Sequence, residues 1–299
     1  MTRVAICDVA LRDGLQSQKE FLTTSEKLAV LRAMEKAGIR EFELGSFVRP
    51  DRVPQMADTV ELFSTAGRPA GSTYIGLTPN TRGLRTALEV GANKVAIVVT
   101  CTDALSERNF GKTVDLVLEE ARAMVAMASS AGARSRIYVS GIFECPFEGA
   151  VTPERVVEVA GKVSALGPSE VCLADTTGAG NPQTAEILFA KVLDVCPADQ
   201  LAVHLHDTRG MAMAMAWVAY KAGIRKFDSS LGGLGGCPFA PGASGNVATE
   251  DLVVMFEQAG VSTGIDGGKL LQAVEVLEAS IKRPVGGRTI NWLKSRKRK

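Results

Sequence analysis

Eight short apolar, β-branched runs, alternating with longer stretches of helical periodicity along nearly the whole sequence, predict a (β/α)8 TIM barrel. They recur evenly over about 250 residues, the size of that fold. No Pro/Ser-rich linker, charge block or low-complexity stretch separates them, which argues against an open sheet split between domains. The chain reads as one domain over residues 1–299. The barrel occupies about 4–260, and an additional C-terminal helix with a basic tail occupies about 261–299.

The first strand is the apolar run 4–9, which begins almost at the first residue. The first helix, 25–37, can be capped by Thr24 or Ser25 and stopped by Gly38. Strands at 41–44 and 73–76 follow, then a helix at 81–90 and a strand at 94–99. A helix at 114–131 leads to the strand at 136–142. Pro153 fits a first helical turn after Thr152 and opens the helix at 153–165. Next come strand 170–174, helix 184–195, strand 201–205 and helix 211–222, which Gly223 ends. Strand 226–229 and helix 249–258 complete the eight units, and residues 269–281 read as a helix outside them.

Composition excludes several classes. The 34 basic and 33 acidic residues leave a net charge of +1, so no global field draws the chain to nucleic acid or to a membrane surface. No apolar run approaches a membrane span, and strand 1 begins too early for a targeting segment. The cysteines (Cys7, Cys101, Cys145, Cys172, Cys196 and Cys237) are scattered with no CxxC pair. They read as free thiols in a reducing compartment, so the expectation is a cytoplasmic protein. The one basic run, 294–299, reads first as a solvated terminus and second as a nucleic-acid or localisation signal.

Barrels of this kind carry their active sites at the C-terminal ends of the strands. There the sequence places Arg12, Asp13 and Gln16 after strand 1, Glu43 and Ser46 on strand 2, and His204 and His206 on strand 7. The two histidines are two apart, so on a strand they share a face. Turned to the barrel axis they can bind a divalent metal, and Asp13 and Asn246 can complete the set because strands 7, 8 and 1 meet on closure. The competing reading is a hydrogen-bonded pair of core histidines. Asp13 has the alternative of an ion pair with Arg12, disfavoured if both lie on a strand and point apart. Glu43 reads as a buried carboxylate that holds Arg12. Six glycines between Gly232 and Gly245 permit positive φ and close backbone approach, as a lid or a phosphate cradle would need, but match no dinucleotide or P-loop pattern. Cys237, inside that segment, is either a proton-donating thiol or an incidental one.

Taken together, these residues resemble the 3-hydroxy-3-methylglutaryl-CoA lyases of the DRE-TIM metallolyase superfamily, over nearly the whole chain. The resemblance rests on RDGLQ at 12–16, SFV at 46–48 with PQM at 54–56, and LTPN at 77–80. It continues through CPFEG at 145–149, DTTG at 175–178, AVHLHDT at 202–208 and GGLGGCPFAPGASGNVATEDL at 232–252. It implies Asp13, His204, His206 and Asn246 as metal ligands and Cys237 as a catalytic thiol. Arg12 would stabilise an enolate, Glu43 matches the family's second-strand acid, and Gln16 and Ser46 would lie against substrate. The implied reaction takes the C3 hydroxyl proton of a short 3-hydroxyacyl-CoA, by Asp13 or His204, as the C2–C3 bond breaks. Cys237 then protonates the enolate carbon, and the parent substrate yields acetoacetate and acetyl-CoA. The mixed nitrogen and oxygen donor set favours Mg²⁺ or Mn²⁺ over tetrahedral Zn²⁺.

The chain departs from the family pattern at Asp8, where Glu is usual, and at Arg49, where a small polar residue is common. Asn109-Phe110-Gly111 keeps one asparagine of Asn-x-Asn, and Ile142-Phe143-Glu144 is bulkier than usual. These positions spare the metal set and bear on the acyl group. The alternatives are therefore a lyase for a longer or differently branched 3-hydroxyacyl-CoA, and behind it a pyruvate-type aldolase or a Claisen-condensing synthase. A scaffolding barrel without activity is the rival of another class. The expected partners are an acyl-CoA and a second copy in a homodimer, with no nucleic acid and no membrane.

Overall fold

The computed structural model describes residues 3–67, 71–236 and 245–296. Its strands are β1 (Ala5–Asp8), β2 (Glu41–Ser46), β3 (Thr73–Leu77), β4 (Lys94–Thr100), β5 (Arg134–Ser140), β6 (Glu170–Asp175), β7 (Leu201–Leu205) and β8 (Lys226–Ser229). All pair in parallel and close into a barrel, β8 joining β1 to β7. Every predicted strand is present, and the barrel is the one expected.

Outside the strands run α1 (Thr24–Ala37), α2 (Thr59–Ala66), α3 (Thr81–Glu89), α4 (Asp103–Phe110) and α5 (Val114–Ser130). They continue with α6 (Pro153–Ser164), α7 (Pro182–Val192), α8 (Ala212–Lys221) and α9 (Thr249–Gln258). The extra helix α10 (Gly267–Ile281) packs against α1, and α11 (Ile290–Arg296) follows it.

Alternation along each strand divides the molecule into two environments. Outward-facing Phe42, Leu44, Ile137, Val139, Val203, Leu205 and Phe227 join the helices in one large apolar core. The inward positions between them carry Glu43, Arg136, Tyr138, His204 and Asp228, all buried. Inside the barrel these polar groups share the space with a smaller apolar cluster that includes Val9, Ile75, Ala96 and Ala202, and their charges must neutralise one another because they are buried.

Several local expectations change. Thr23, rather than Thr24 or Ser25, caps α1. Its hydroxyl accepts from Glu26 N at 3.3 Å, and the Glu26 carboxylate accepts from Thr23 N at 2.7 Å, a reciprocal box. Helix α7 starts two residues earlier than expected, capped by Asn181 with Pro182 in its first turn. Helices α2 and α4 were not anticipated: at 8 residues each they are too short to show a repeating apolar face. The first residues of the basic tail are helical, with Lys294 Nζ held by Glu278 at 3.1 and 3.2 Å, and they stay partly or fully exposed as a solvated terminus would. Residues 297–299 lie outside the described residues. No described helix is long and apolar enough to cross a membrane.

The first turn of α9 ties the chain's last segment to the C-terminal end of the barrel. Buried Glu250 accepts from Gly232 N at 3.1 Å and Gly287 N at 2.6 Å. Asp251 beside it accepts from Arg288 N and Thr289 N at 2.8 and 2.9 Å. Burial pushes the Glu250 carboxyl up from its ordinary 4.5 to about 7. Between those values the folded chain holds a proton that the unfolded chain has released, so stability falls as pH rises through that window. Glu250→Gln cannot titrate. In urea unfolding series between pH 4.5 and 7.5, wild type should lose up to about 3 kcal/mol more than the variant. Parallel curves would refute the assignment.

Candidate metal centre

The strand geometry expected for Arg12 and Asp13 ends too early to govern them. β1 stops at Asp8, and Ala10–Gly14 coils as a π-helical turn. Asp8 anchors the turn by accepting from Ala10 N at 2.9 Å and Thr249 Oγ1 at 2.7 Å. In a coil, neighbouring side chains need not diverge, and Arg12 Nη1 meets Asp13 Oδ1 at 2.5 Å. The ion pair that a strand would disfavour is therefore present. Glu43, fully buried, grips the same guanidinium from the other side, its Oε2 lying 2.7 Å from Nε and 2.6 Å from Nη2. Both readings of Arg12's partners hold at once. Burial raises the Glu43 carboxyl even against the pull of Arg12.

His204 faces the axis near the end of β7, and His206 follows just beyond it. The chain after β8 returns to lie against them: Asp207 N donates to Gly245 O at 2.7 Å and Val247 N to Leu205 O at 3.1 Å. This pairing sets Asn246 opposite His206. Asp13, His204 and His206 then present ligand atoms all within 4.8 Å of one another. Asp13 Oδ2 is 3.6 Å from His206 Nε2, 4.0 Å from His204 Nε2 and 2.7 Å from Asn246 Nδ2. A half-turn of that amide about its last torsion puts its oxygen in the same place. Burial works to raise the Asp13 carboxyl, but Arg12 and the two imidazoles hold it well below the usual range.

A divalent cation fits this set. His206 is buried, yet neither of its ring nitrogens has a hydrogen-bond partner among the described residues. Buried polar atoms are paired almost without exception, so a core-packing histidine is a poor account of His206 and a ligand is a good one. An anionic oxygen and two imidazole nitrogens form the mixed donor set that suits such an ion.

His204 is different, because its Nδ1 meets Asp228 Oδ2 at 3.2 Å. Tyr138 hydroxyl lies 2.9 Å from the same oxygen and 3.3 Å from Glu43 Oε2, bridging the arginine side of the site to the histidine side. Arg136, with no solvent exposure, pairs with Asp228 and Glu170, each at 2.9 Å. None of Asp228, Tyr138 and Arg136 was expected. The same two-residue alternation that pairs the histidines places Arg136 with Tyr138 and Lys226 with Asp228, so a polar residue at every second strand position was the available signal.

The remaining expected residues are less closely bound. Gln16 is half-buried just after the π-helical turn and forms no side-chain hydrogen bond with the described residues. Ser46 is buried and lines a cavity of about 620 Å³ with Phe47, Arg49, Arg52, Met56 and Arg82. Cys237 lies outside the described residues. Gly236 and Gly245, which flank the stretch 237–244, touch so closely that a Cβ on Gly245 would stand 2.3 Å from Gly236 N. Asp175, also buried, accepts from Ala179 N and Gly180 N at 3.0 and 2.9 Å and shapes the turn after β6.

Comparison with known proteins adds an independent line. A family model described as HMGL-like matches residues 3–277. A hydroxymethylglutaryl-CoA lyase of Bacillus subtilis is 37% identical over 293 residues, covering 98% of each chain. The crystal structure of the hydroxymethylglutaryl-CoA lyase of Pseudomonas aeruginosa superposes with a TM-score of 0.95 at 36% identity, covering 99% of this chain and 98% of that one. An HMG-CoA lyase of Acinetobacter baumannii, solved with coenzyme A and 3-methylmalate, gives 0.91 at 34% identity over 97% of this chain and 94% of its own.

Titration of the metal-free protein with Mn²⁺, followed by electron paramagnetic resonance, should show about one tight site per chain. His206→Ala should weaken it more than about tenfold, since the ring has no other partner to lose. Equal binding by both proteins would place the ion elsewhere.

Proposed function

The chain belongs to the HMGL-like family, and from that premise we propose that it is a metal-dependent carbon–carbon lyase that cleaves 3-hydroxy-3-methylglutaryl-CoA to acetoacetate and acetyl-CoA. One observation carries the reading. Asp13, His204 and His206 converge at the C-terminal mouth of the barrel, in contact with an arginine whose guanidinium still has hydrogen-bonding capacity.

The ligands would be Asp13, His204, His206 and Asn246, with Mg²⁺ or Mn²⁺ preferred because water and substrate oxygens would complete an octahedral set. When bound, the ion supplies a Lewis acid that makes a C3 hydroxyl easier to deprotonate. The protein supplies the rest. Three of the five N–H bonds of Arg12 are turned to Asp13 and Glu43, which leaves two for the thioester oxygen as it takes up enolate charge. Glu43 holds the arginine in that orientation.

The hydroxyl proton needs an acceptor, and the tautomer of His204 bears on which. Its Nδ1 faces a carboxylate, so only Nε2 has a free lone pair. A single lone pair cannot both ligate an ion and take a proton. With His204 as a ligand, the Asp13 carboxylate is the acceptor that remains. Cys237 is assigned the return of a proton to the enolate carbon, on its sequence position beside Gly236.

The acyl-CoA partner is supported by the coenzyme A complex of the Acinetobacter relative. In this chain the cavity beside Ser46, with Arg49, Arg52 and Arg82 on its wall, suits the phosphates of such a substrate. Arg49 is already engaged by Asp51 at 2.6 Å, so Arg52 and Arg82 are the freer cations. A cytoplasmic location and a homodimer remain part of the proposal.

The test is formation of acetoacetate and acetyl-CoA from 3-hydroxy-3-methylglutaryl-CoA, with Mg²⁺ or Mn²⁺ and then with EDTA. Wild type should turn over only with metal. Arg12→Gln should lower kcat by about 10²–10³ with the fold intact, and Arg82→Glu should raise KM with little change in kcat. A metal-loaded wild type that cleaves only longer acyl chains would move the assignment to those substrates, with Arg49, Phe143 and Glu144 as the residues to exchange first.

A further inference from the structure

Two histidines of one site are held in opposite ways, and the difference has a source. In the register of β7 and β8, Asp228 stands directly beside His204. Asp228 is buried and receives four groups: Arg136 Nη2 on Oδ1 at 2.9 Å, and on Oδ2 the Tyr138 hydroxyl at 2.9 Å, His204 Nδ1 at 3.2 Å and the Cys172 thiol at 3.8 Å. A carboxylate paired with a fully buried guanidinium can only accept hydrogen bonds. The nitrogen of His204 that faces it must therefore carry the hydrogen. Among the described residues His206 has no such neighbour, since its Nδ1 is buried without a hydrogen-bond partner there. The rings lie 5.2 Å apart, centroid to centroid, so they share one environment and differ in this contact.

We propose that Asp228 is a positioning residue that locks His204 as its Nδ1–H tautomer and aims the Nε2 lone pair at the metal centre, while His206 is left free to choose its tautomer. Arg136 and Tyr138 act through Asp228 by holding its two oxygens in place. Tyr138 also packs edge-on to the His204 ring at 5.7 Å, which limits the ring's rotation. The proposal rests on the reading of His204 as a ligand and extends it one layer inward. A carboxylate behind a metal-binding imidazole fixes ring orientation and strengthens the donor, and its loss typically costs about 10–100-fold in metal affinity.

The chain contains only two histidines, which makes a direct test simple. Untagged, metal-free protein labelled with ¹⁵N-histidine should give two rings in long-range ¹H–¹⁵N spectra, assigned with His206→Gln. In wild type, His204 should show a protonated Nδ1 and a bare Nε2, and His206 should show averaged shifts. In Asp228→Asn, His204 should lose that single tautomer, and Mn²⁺ should bind about 10–100-fold more weakly. Tyr138→Phe removes one donor to Asp228 but leaves the carboxylate, so the tautomer should persist. That separates the lock from general damage to the network.

An Nε2–H tautomer in wild type overturns the proposal even if Asp228→Asn does not fold. So does a folded Asp228→Asn protein that keeps both the tautomer and the affinity. No substrate enters any of these measurements. A failure of the lyase assay would therefore leave this result readable, and a failure here would leave the reaction standing.

Discussion

A guanidinium with no contact to solvent lies on the axis of the barrel, and the polar interior is arranged around neutralising it. Arg136 pairs with Glu170 on the N-terminal side and with Asp228 on the side toward the site. Burying a charge without a partner costs several kcal/mol, so neither carboxylate can be dispensed with. Lys94 and Lys226 balance Glu170 in turn, at 3.1 and 3.3 Å. Above Arg136, Asp228 passes the constraint to His204 and Tyr138, and Tyr138 reaches Glu43, which holds Arg12. An ordinary apolar barrel core would pack well but could not hold these polar side chains in defined orientations. Here the residues beneath the site are chosen by charge as much as by volume.

The rim is built by a different rule. Each of its parts is a segment that has left regular structure and is held by backbone groups. The π-helical turn at Ala10–Gly14 hangs on Asp8, the turn after β6 on Asp175, and the chain around Asn246 on the end of β7. Gly232 and Gly233 adopt positive φ at 69° and 63°, where a side chain would be strained, and the turn they form abuts Asn246. Glu250 and Asp251 then bind residues 287–289 over the turn, so the C-terminal segment that lies outside the eight repeats still supports the site.

Much of this was legible. Short apolar, β-branched runs marked the strands to within two residues, because the strands of a parallel barrel are buried on both faces. The spacing of His204 and His206 put both on one face, and closure of a barrel made the third ligand's strand a neighbour. What escaped has physical reasons. Thr23 caps α1 instead of Thr24 or Ser25 because three adjacent hydroxyls are equivalent until one finds Glu26 at the right distance. Helices α2 and α4 are shorter than the repeat needed to recognise them. The Arg12–Asp13 pair was misjudged because the strand was extended past Asp8, where the backbone in fact winds into a turn. Asp228, Arg136 and Tyr138 sat in plain view at alternate strand positions, yet nothing local says which inward residues meet across the axis.

The sequence by itself determined the barrel, the faces of its strands, the family likeness and the residues that converge at its mouth. These follow from local periodicity and from residue chemistry, which need no knowledge of distant contacts. Only the tertiary structure decided which buried groups are paired and which are left open. It showed that the His206 ring has no hydrogen-bond partner among the described residues, that His204 leans on Asp228, and that Arg12 is shared by Asp13 beside it and Glu43 from the next strand. Such pairings depend on distances of about 3 Å between residues far apart in the chain. Those distances exist only after the barrel has closed.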